Sequence, residues 1–172
     1  MTNVIRPSSR EAVIRRSSGV SMAETLLSRF LRYVRVDTQS SETTHTTPST
    51  PGQWVLLRML EHELKEMKAE DVRLTEYGYV MATIPATSSR KRLPTVAFMA
   101  HVDTATGFSS QNVKPLVHRK WNGKPIRLPD DPAQVIDPAH NPELRAKKGH
   151  DIVTASGKTE VLGGLSEGEK VV

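Results

Sequence analysis

The chain has 172 residues, 37% of them hydrophobic and 5% aromatic, with no cysteine and a formal net charge of +5. This length suits one domain with a modest core, and the lack of cysteine excludes disulfides and thiolate zinc sites, leaving any metal to His, Asp and Glu. No apolar run approaches membrane-spanning length, so no membrane partner is expected. The charge is uneven, because residues 1–21 set Arg6, Arg10, Arg15 and Arg16 against Glu11, contributing +3 and leaving +2 for the rest. With no aromatic residues among those arginines, no nucleic-acid partner is expected either. The same segment lacks the apolar core of a secretory signal. Its Arg- and Ser-rich composition matches an organelle transit peptide, but a start codon upstream of a natural start at Met22 explains it equally, and we read it that way.

From Met22 the pattern becomes regular. Leu26, Leu27, Phe30, Leu31 and Val34 recur at helical spacing with Arg29, Arg32 and Arg35 between them, predicting an amphipathic helix of about four turns that ends near Val36. Residues 37–50 are mostly Thr, Ser, Asp, Gln and Pro and read as a polar loop. A second helix follows, with Thr50 as N-cap, Pro51 in its first turn, and Trp54, Leu57, Leu60, Leu64 and Met67 as its core stripe. Residues 72–75 and 79–84 read as two short strands around Gly78, and residues 85–94 as a basic loop.

Residues 95–100 are apolar or β-prone without alternation, the pattern of a strand buried on both faces of a parallel sheet. The element order is that of an α/β domain opening. His101 and Asp103 then fall at the strand's carboxyl end, where open α/β sheets bind ligands, and period-two alternation puts both on one side. An imidazole nitrogen suits a metal, and a neighbouring carboxylate can orient the ring. The remaining histidines, His45, His62, His118, His140 and His150, occupy polar or basic stretches and read as solvated. Residues 129–142, with Pro129, Pro132, Pro138 and Pro142, read as an extended surface loop. There is no Gly-rich phosphate loop and no nucleophile elbow.

Four segments together carry a family resemblance. Val36-Asp37-Thr38-Gln39-Ser40, Pro48-Ser49-Thr50-Pro51-Gly52-Gln53-Trp54, Val80-Met81-Ala82-Thr83-Ile84-Pro85 and His101-Val102-Asp103-Thr104 stand in the order and spacing of the peptidase T family. These are tripeptide aminopeptidases, dinuclear zinc exopeptidases. The resemblance covers roughly residues 23–163, with residues 112–115 and 154–159 also similar. It implies the N-terminal part of a zinc-exopeptidase catalytic domain, a mixed sheet flanked by helices, truncated. It further implies a cytoplasmic homodimer that binds two zinc ions per subunit and releases the N-terminal residue of a short peptide by metal-activated water. On the residues of this chain, His101 would be a zinc ligand and Asp103 the supporting catalytic acidic residue.

The chain departs from the family after Gly163. Where the family places an Asp that bridges two zinc ions, this sequence has Leu165, which has no lone pair, and Glu167 or Glu169 would serve only along another backbone path. The family's later ligands and catalytic glutamate have no counterpart within 172 residues. A catalytic zinc site usually takes three protein ligands plus an open position, and only His101 is assigned. The expected organisation is therefore a basic extension over 1–21, a partial catalytic domain over 22–163 and a divergent tail over 164–172. The resemblance thus implies a truncated chain that is inactive alone, with unpaired sheet edges. The alternative reading is a non-catalytic remnant that pairs with a full-length subunit through such an edge or serves no function.

Overall fold

The computed structural model describes residues 24–107 and 109–159, so the basic extension and the divergent tail, including Leu165, Glu167 and Glu169, lie outside the described residues. In chain order these form α1 (Leu26–Tyr33), α2 (Pro51–Glu66), β1 (Glu70–Leu74), β2 (Val80–Thr83), β3 (Leu116–His118), β4 (Ile126–Leu128), β5 (Asp131–Ile136), α3 (Pro142–Arg145) and β6 (Ile152–Thr154). Helix and strand are thus mixed, as an α/β reading requires. The strands do not form one mixed sheet, however: they make three separate antiparallel pairs, β1 with β2, β3 with β6 and β4 with β5.

Helix α1 is capped by Thr25, whose Oγ1 accepts from the Ser28 amide, and it stops at Tyr33, three residues short of the expected end. Its arginines anchor it as much as its apolar stripe does. Arg32 donates to Glu63 Oε1 on α2 at 2.5 Å and to Glu24 Oε2 at 2.7 Å, and the Tyr33 hydroxyl donates to Glu63 as well. Burial, and then the Glu63 carboxylate it faces, push the Tyr33 hydroxyl up to about 12.

Helix α2 begins as its sequence dictates, with Thr50 extended at the N-cap and Pro51 in the first turn. Thr50 Oγ1 does not cap the helix but donates to the Gln39 carbonyl. The buried face is Gln53, Leu56 and Leu57, a narrower and more polar stripe than the predicted one, while Met67 is exposed. Against this helix lies the β1–β2 hairpin. Its turn is closed by Gly78 at φ 78°, where a Cβ would come within 2.4 Å of Pro48 Cγ.

Residues 95–100 differ most from expectation. They form no regular element, and Phe98 and Met99 are 95% and 97% exposed. The apolar run is that of a doubly buried strand, but among the described residues no strand runs alongside it. The one parallel contact, an isolated bridge between Gln39 and Thr104, begins only after the run has ended.

The later half holds most of the core. Trp121, Ile126, Leu128, Leu144 and Ile152 form one buried cluster, with Ile136 packed against it. This cluster uses β5 and α3, so residues 129–142 are not an extended loop: they supply a strand and Pro142, the first residue of the short helix that buries Leu144. The turn at Pro129 and Asp130 lets β5 fold back on β4, with Leu128 opposite Asp131. A second cluster of Val34, Val113 and Ala155, flanked by Phe30, joins the end of α1 to this half.

Candidate functional site

The bridge between residues 39 and 104 positions the His101–Asp103 pair. The Thr104 amide donates to the Thr38 carbonyl at 3.2 Å and the Ser40 amide to the Thr104 carbonyl at 2.9 Å, which sets Ser40 beside Asp103. Behind them the start of α2 sits close to the same segment: a Cβ on Gly52 would lie 1.7 Å from the Asp37 carbonyl oxygen, so only glycine permits this approach. Asp37 Oδ1 in turn accepts from the buried Ser110 hydroxyl at 2.5 Å and from the Gln39 amide at 3.2 Å.

The sequence placed His101 and Asp103 on one side, and the structure brings them together. His101 Nδ1 lies 3.0 Å from Asp103 Oδ1 and 3.0 Å from the Asp103 carbonyl oxygen. Both partners are acceptors, so Nδ1 carries the proton, and in the neutral ring Nε2 keeps its lone pair. The Ser40 hydroxyl donates to the other carboxylate oxygen, Oδ2, at 2.7 Å. That bond first, and the facing His101 ring with it, hold the Asp103 carboxyl below the usual carboxylate range, so it is an anion at neutral pH. The pair is open to solvent, with side chains 70% and 46% exposed.

Ser40 and Gln53 are functional neighbours that sequence reasoning left without a role, although both lie in segments that carried the resemblance. Gln53 is 4% exposed and organises the whole polar loop. Its Nε2 reaches Ser40 Oγ at 3.3 Å, Ser49 Oγ at 3.1 Å and the Thr38 carbonyl at 3.3 Å, while its Oε1 accepts from the Ser49 amide at 2.9 Å. The available signal was a polar residue at a core-facing position of an otherwise amphipathic helix.

The arrangement offers one imidazole nitrogen that could serve as a metal donor. A histidine whose Nδ1–H is held by a carboxylate presents Nε2 to a metal in the orientation that favours coordination. Among the described residues, no three or more His, Cys, Asp and Glu side chains converge as a ligand set. His45, His140 and His150 are exposed, and His62 pairs with Glu66 across one helical turn at 3.4 Å. His118 is not solvated as expected: it lies half-buried on β3 with Nε2 3.0 Å from Thr154 Oγ1, and burial lowers its pKa. Asp151, beside the exposed His150, accepts from Arg119 and the Lys120 amide.

Comparison with curated proteins makes this chain similar to peptidases. The relatives carry the name Peptidase T, and the resemblance read from the four segments is thereby shown. The proteins of Bacillus mycoides strain KBAB4 and Bacillus thuringiensis strain Al Hakam are each 46% identical over 138 residues, covering 80% of this chain and 33% of their own length. A Bacillus cereus relative, strain 03BB102, matches to the same extent. The chain spans about a third of the length of the curated relatives it matches. No protein-family model matches it. No helix among the described residues is long and apolar enough to cross a membrane.

Proposed function

We propose that this chain is the N-terminal part of a zinc-dependent aminopeptidase domain resembling peptidase T, which supplies one metal ligand and its orienting acid but is not active alone. The observation that carries this reading is the relay from Gln53 through Ser40 and Asp103 to His101, which fixes the proton on Nδ1 and leaves Nε2 for a metal. His101 would hold the ion, and Asp103 would keep the ring oriented and basic. A bound zinc pair would supply an activated water and polarise the scissile carbonyl. The rest of the ligand set, the release of N-terminal residues from tripeptides, the homodimer and the cytoplasmic setting follow from the resemblance, and would belong to a chain that carries the remaining ligands.

A second reading, a non-catalytic piece that acts by association, draws support from the exposure of residues 95–100. One experiment separates the outcomes. The purified chain is loaded with zinc, dialysed and analysed for metal by elemental analysis, with circular dichroism and tripeptide hydrolysis measured on the same sample. The expected result is a folded chain with well under one tightly held zinc and no hydrolysis, because one imidazole is two protein ligands short of a usual catalytic site. Two retained zinc ions with release of N-terminal residues would overturn the claim of inactivity.

A further inference from the structure

We infer that the tribasic run Arg90-Lys91-Arg92 is a processing site for an endoprotease whose specificity pocket carries a carboxylate, and that the two pieces it yields stay together. This is independent of the aminopeptidase reading, because it needs neither a metal nor any hydrolysis by this chain.

A protease lays several residues around the bond it cuts along its cleft in extended form, so backbone held in a helix or ladder must open first. Residues 84–94 follow the end of β2 at Thr83, form no regular element and are exposed throughout. Among the described residues their one hydrogen bond is local, from the Arg90 amide to Ser88 Oγ at 3.2 Å, and no ion pair engages Arg90, Lys91 or Arg92. Arg92 stands at φ 63°, a conformation disfavoured for an L residue, so drawing the loop straight relieves it. Exposed loops of this kind are where chains are nicked.

Cations elsewhere are guarded. The Lys120 amide donates to Asp151, whose carboxylate also takes Arg119. In the turn after α3 the Lys147 amide donates to the Leu144 carbonyl, the His150 amide to the Lys147 carbonyl, and the Gly149 amide, which forms the bond after Lys148, to the Trp121 carbonyl at 2.7 Å. Lys114 and Lys124 each precede a proline, whose ring takes the place of the hydrogen on the nitrogen of the bond to be cut. None of the three bonds after Arg90, Lys91 and Arg92 is followed directly by proline, since Leu93 stands before Pro94. Hydrolysis there breaks one peptide C–N bond. The water oxygen joins the carbonyl carbon to give a carboxylate, the freed nitrogen becomes the ammonium group of the next residue, and no other reactant is needed.

The pieces stay together because the contacts that join the halves pair a residue before the loop with one after it. Val34 packs with Val113 and Ala155, Asp37 accepts from Ser110, and the Ser40 hydroxyl donates to Asp103. Gln39 Nε2 donates to the Ala105 and Thr106 carbonyls at 3.3 Å and 3.1 Å. A cut at 90–93 therefore turns an intramolecular joint into an interface between two chains, with Ser40 on one and the His101–Asp103 pair on the other.

The test treats the full chain with limiting trypsin, assigns cuts by intact mass and runs the product on size-exclusion chromatography without denaturant and in urea. The expected result is cleavage within 90–93 at least roughly tenfold faster than after Lys120, Lys147 or Lys148, with the two pieces eluting together until urea parts them. Arg90→Gln, Lys91→Gln and Arg92→Gln combined should leave the circular dichroism unchanged and keep residues 24–147 in one piece over the same digestion. The inference is overturned by cleavage after Lys120, Lys147 or Lys148 that matches or outpaces the loop, by pieces that elute apart without urea, or by a triple variant that is cut as fast elsewhere among residues 24–147.

Discussion

His118 shows how little a histidine's neighbours in sequence can say about its surroundings in space, and His101 shows when they suffice. His118 lies beside Arg119 and Lys120, which suggests solvent, yet β3 turns it toward Thr154 on β6 and half-buries it. Burial disfavours its charged form, so its folded-state pKa lies below that of the unfolded chain. The unfolded chain therefore takes up the proton first as pH falls. Stability from this residue is greatest above the ordinary histidine value of about 6.5, declines below it, and levels off once the folded form is also protonated. His118→Gln keeps a hydrogen-bonding group opposite Thr154 without a titration, and we expect it to flatten the urea-unfolding free energy between about pH 7 and pH 5. An unchanged slope would mean that His118 is not the group responsible. His101 and Asp103 were legible because their relation is local: two residues apart, they needed no distant partner to meet. Ser40 was not, since its 2.7 Å bond to Asp103 spans 63 positions and leaves no periodic trace.

Among the elements, those whose signals are local came through. The α2 start at Pro51 and the hairpin around Gly78 are where proline and turn chemistry put them. Elements that depend on partners did not. Residues 95–100 have the composition of a buried strand and lack, among the described residues, the neighbours that would make them one, while β5 was masked by Pro132, which a strand paired on one edge tolerates. The Gly78 turn can be tested directly, because two separate reasons require glycine there. Its φ of 78° strains any L side chain, and a Cβ would press on Pro48 Cγ at 2.4 Å. Gly78→Ala should therefore cost about 1–3 kcal/mol. Gly107→Ala, where a Cβ meets nothing within 4 Å, should stay within about 0.5 kcal/mol, with both read from urea midpoints at constant m value. Equal effects at the two positions would remove the claim that the hairpin is pinned to the 46–50 loop.

At the scale of the whole molecule, the chain is two small assemblies held by a narrow joint. One is α1 and α2 with the β1–β2 hairpin, tied through Arg32, Tyr33 and Glu63; the other surrounds Trp121. Between them stand the Val34, Val113 and Ala155 cluster, the Asp37–Ser110 bond and the bridge at Thr104. The apolar part of that joint is easily thinned, and Val113→Ala should remove about 1–3 kcal/mol of burial from it. Most of the helix lies in the first assembly, so far-UV circular dichroism follows that one. Trp121 fluorescence, recorded with Trp54→Phe as background, follows the other. In the parent chain the two signals should melt together in urea, as a cooperative unit requires. In Val113→Ala they should separate, because each assembly keeps its own contacts while losing the ones that make it wait for the other. Coincident transitions in the variant would show instead that the polar bonds of Asp37 and Thr104 suffice to couple the halves. The bridge that sets Ser40 beside Asp103 would then be as stable as the core itself.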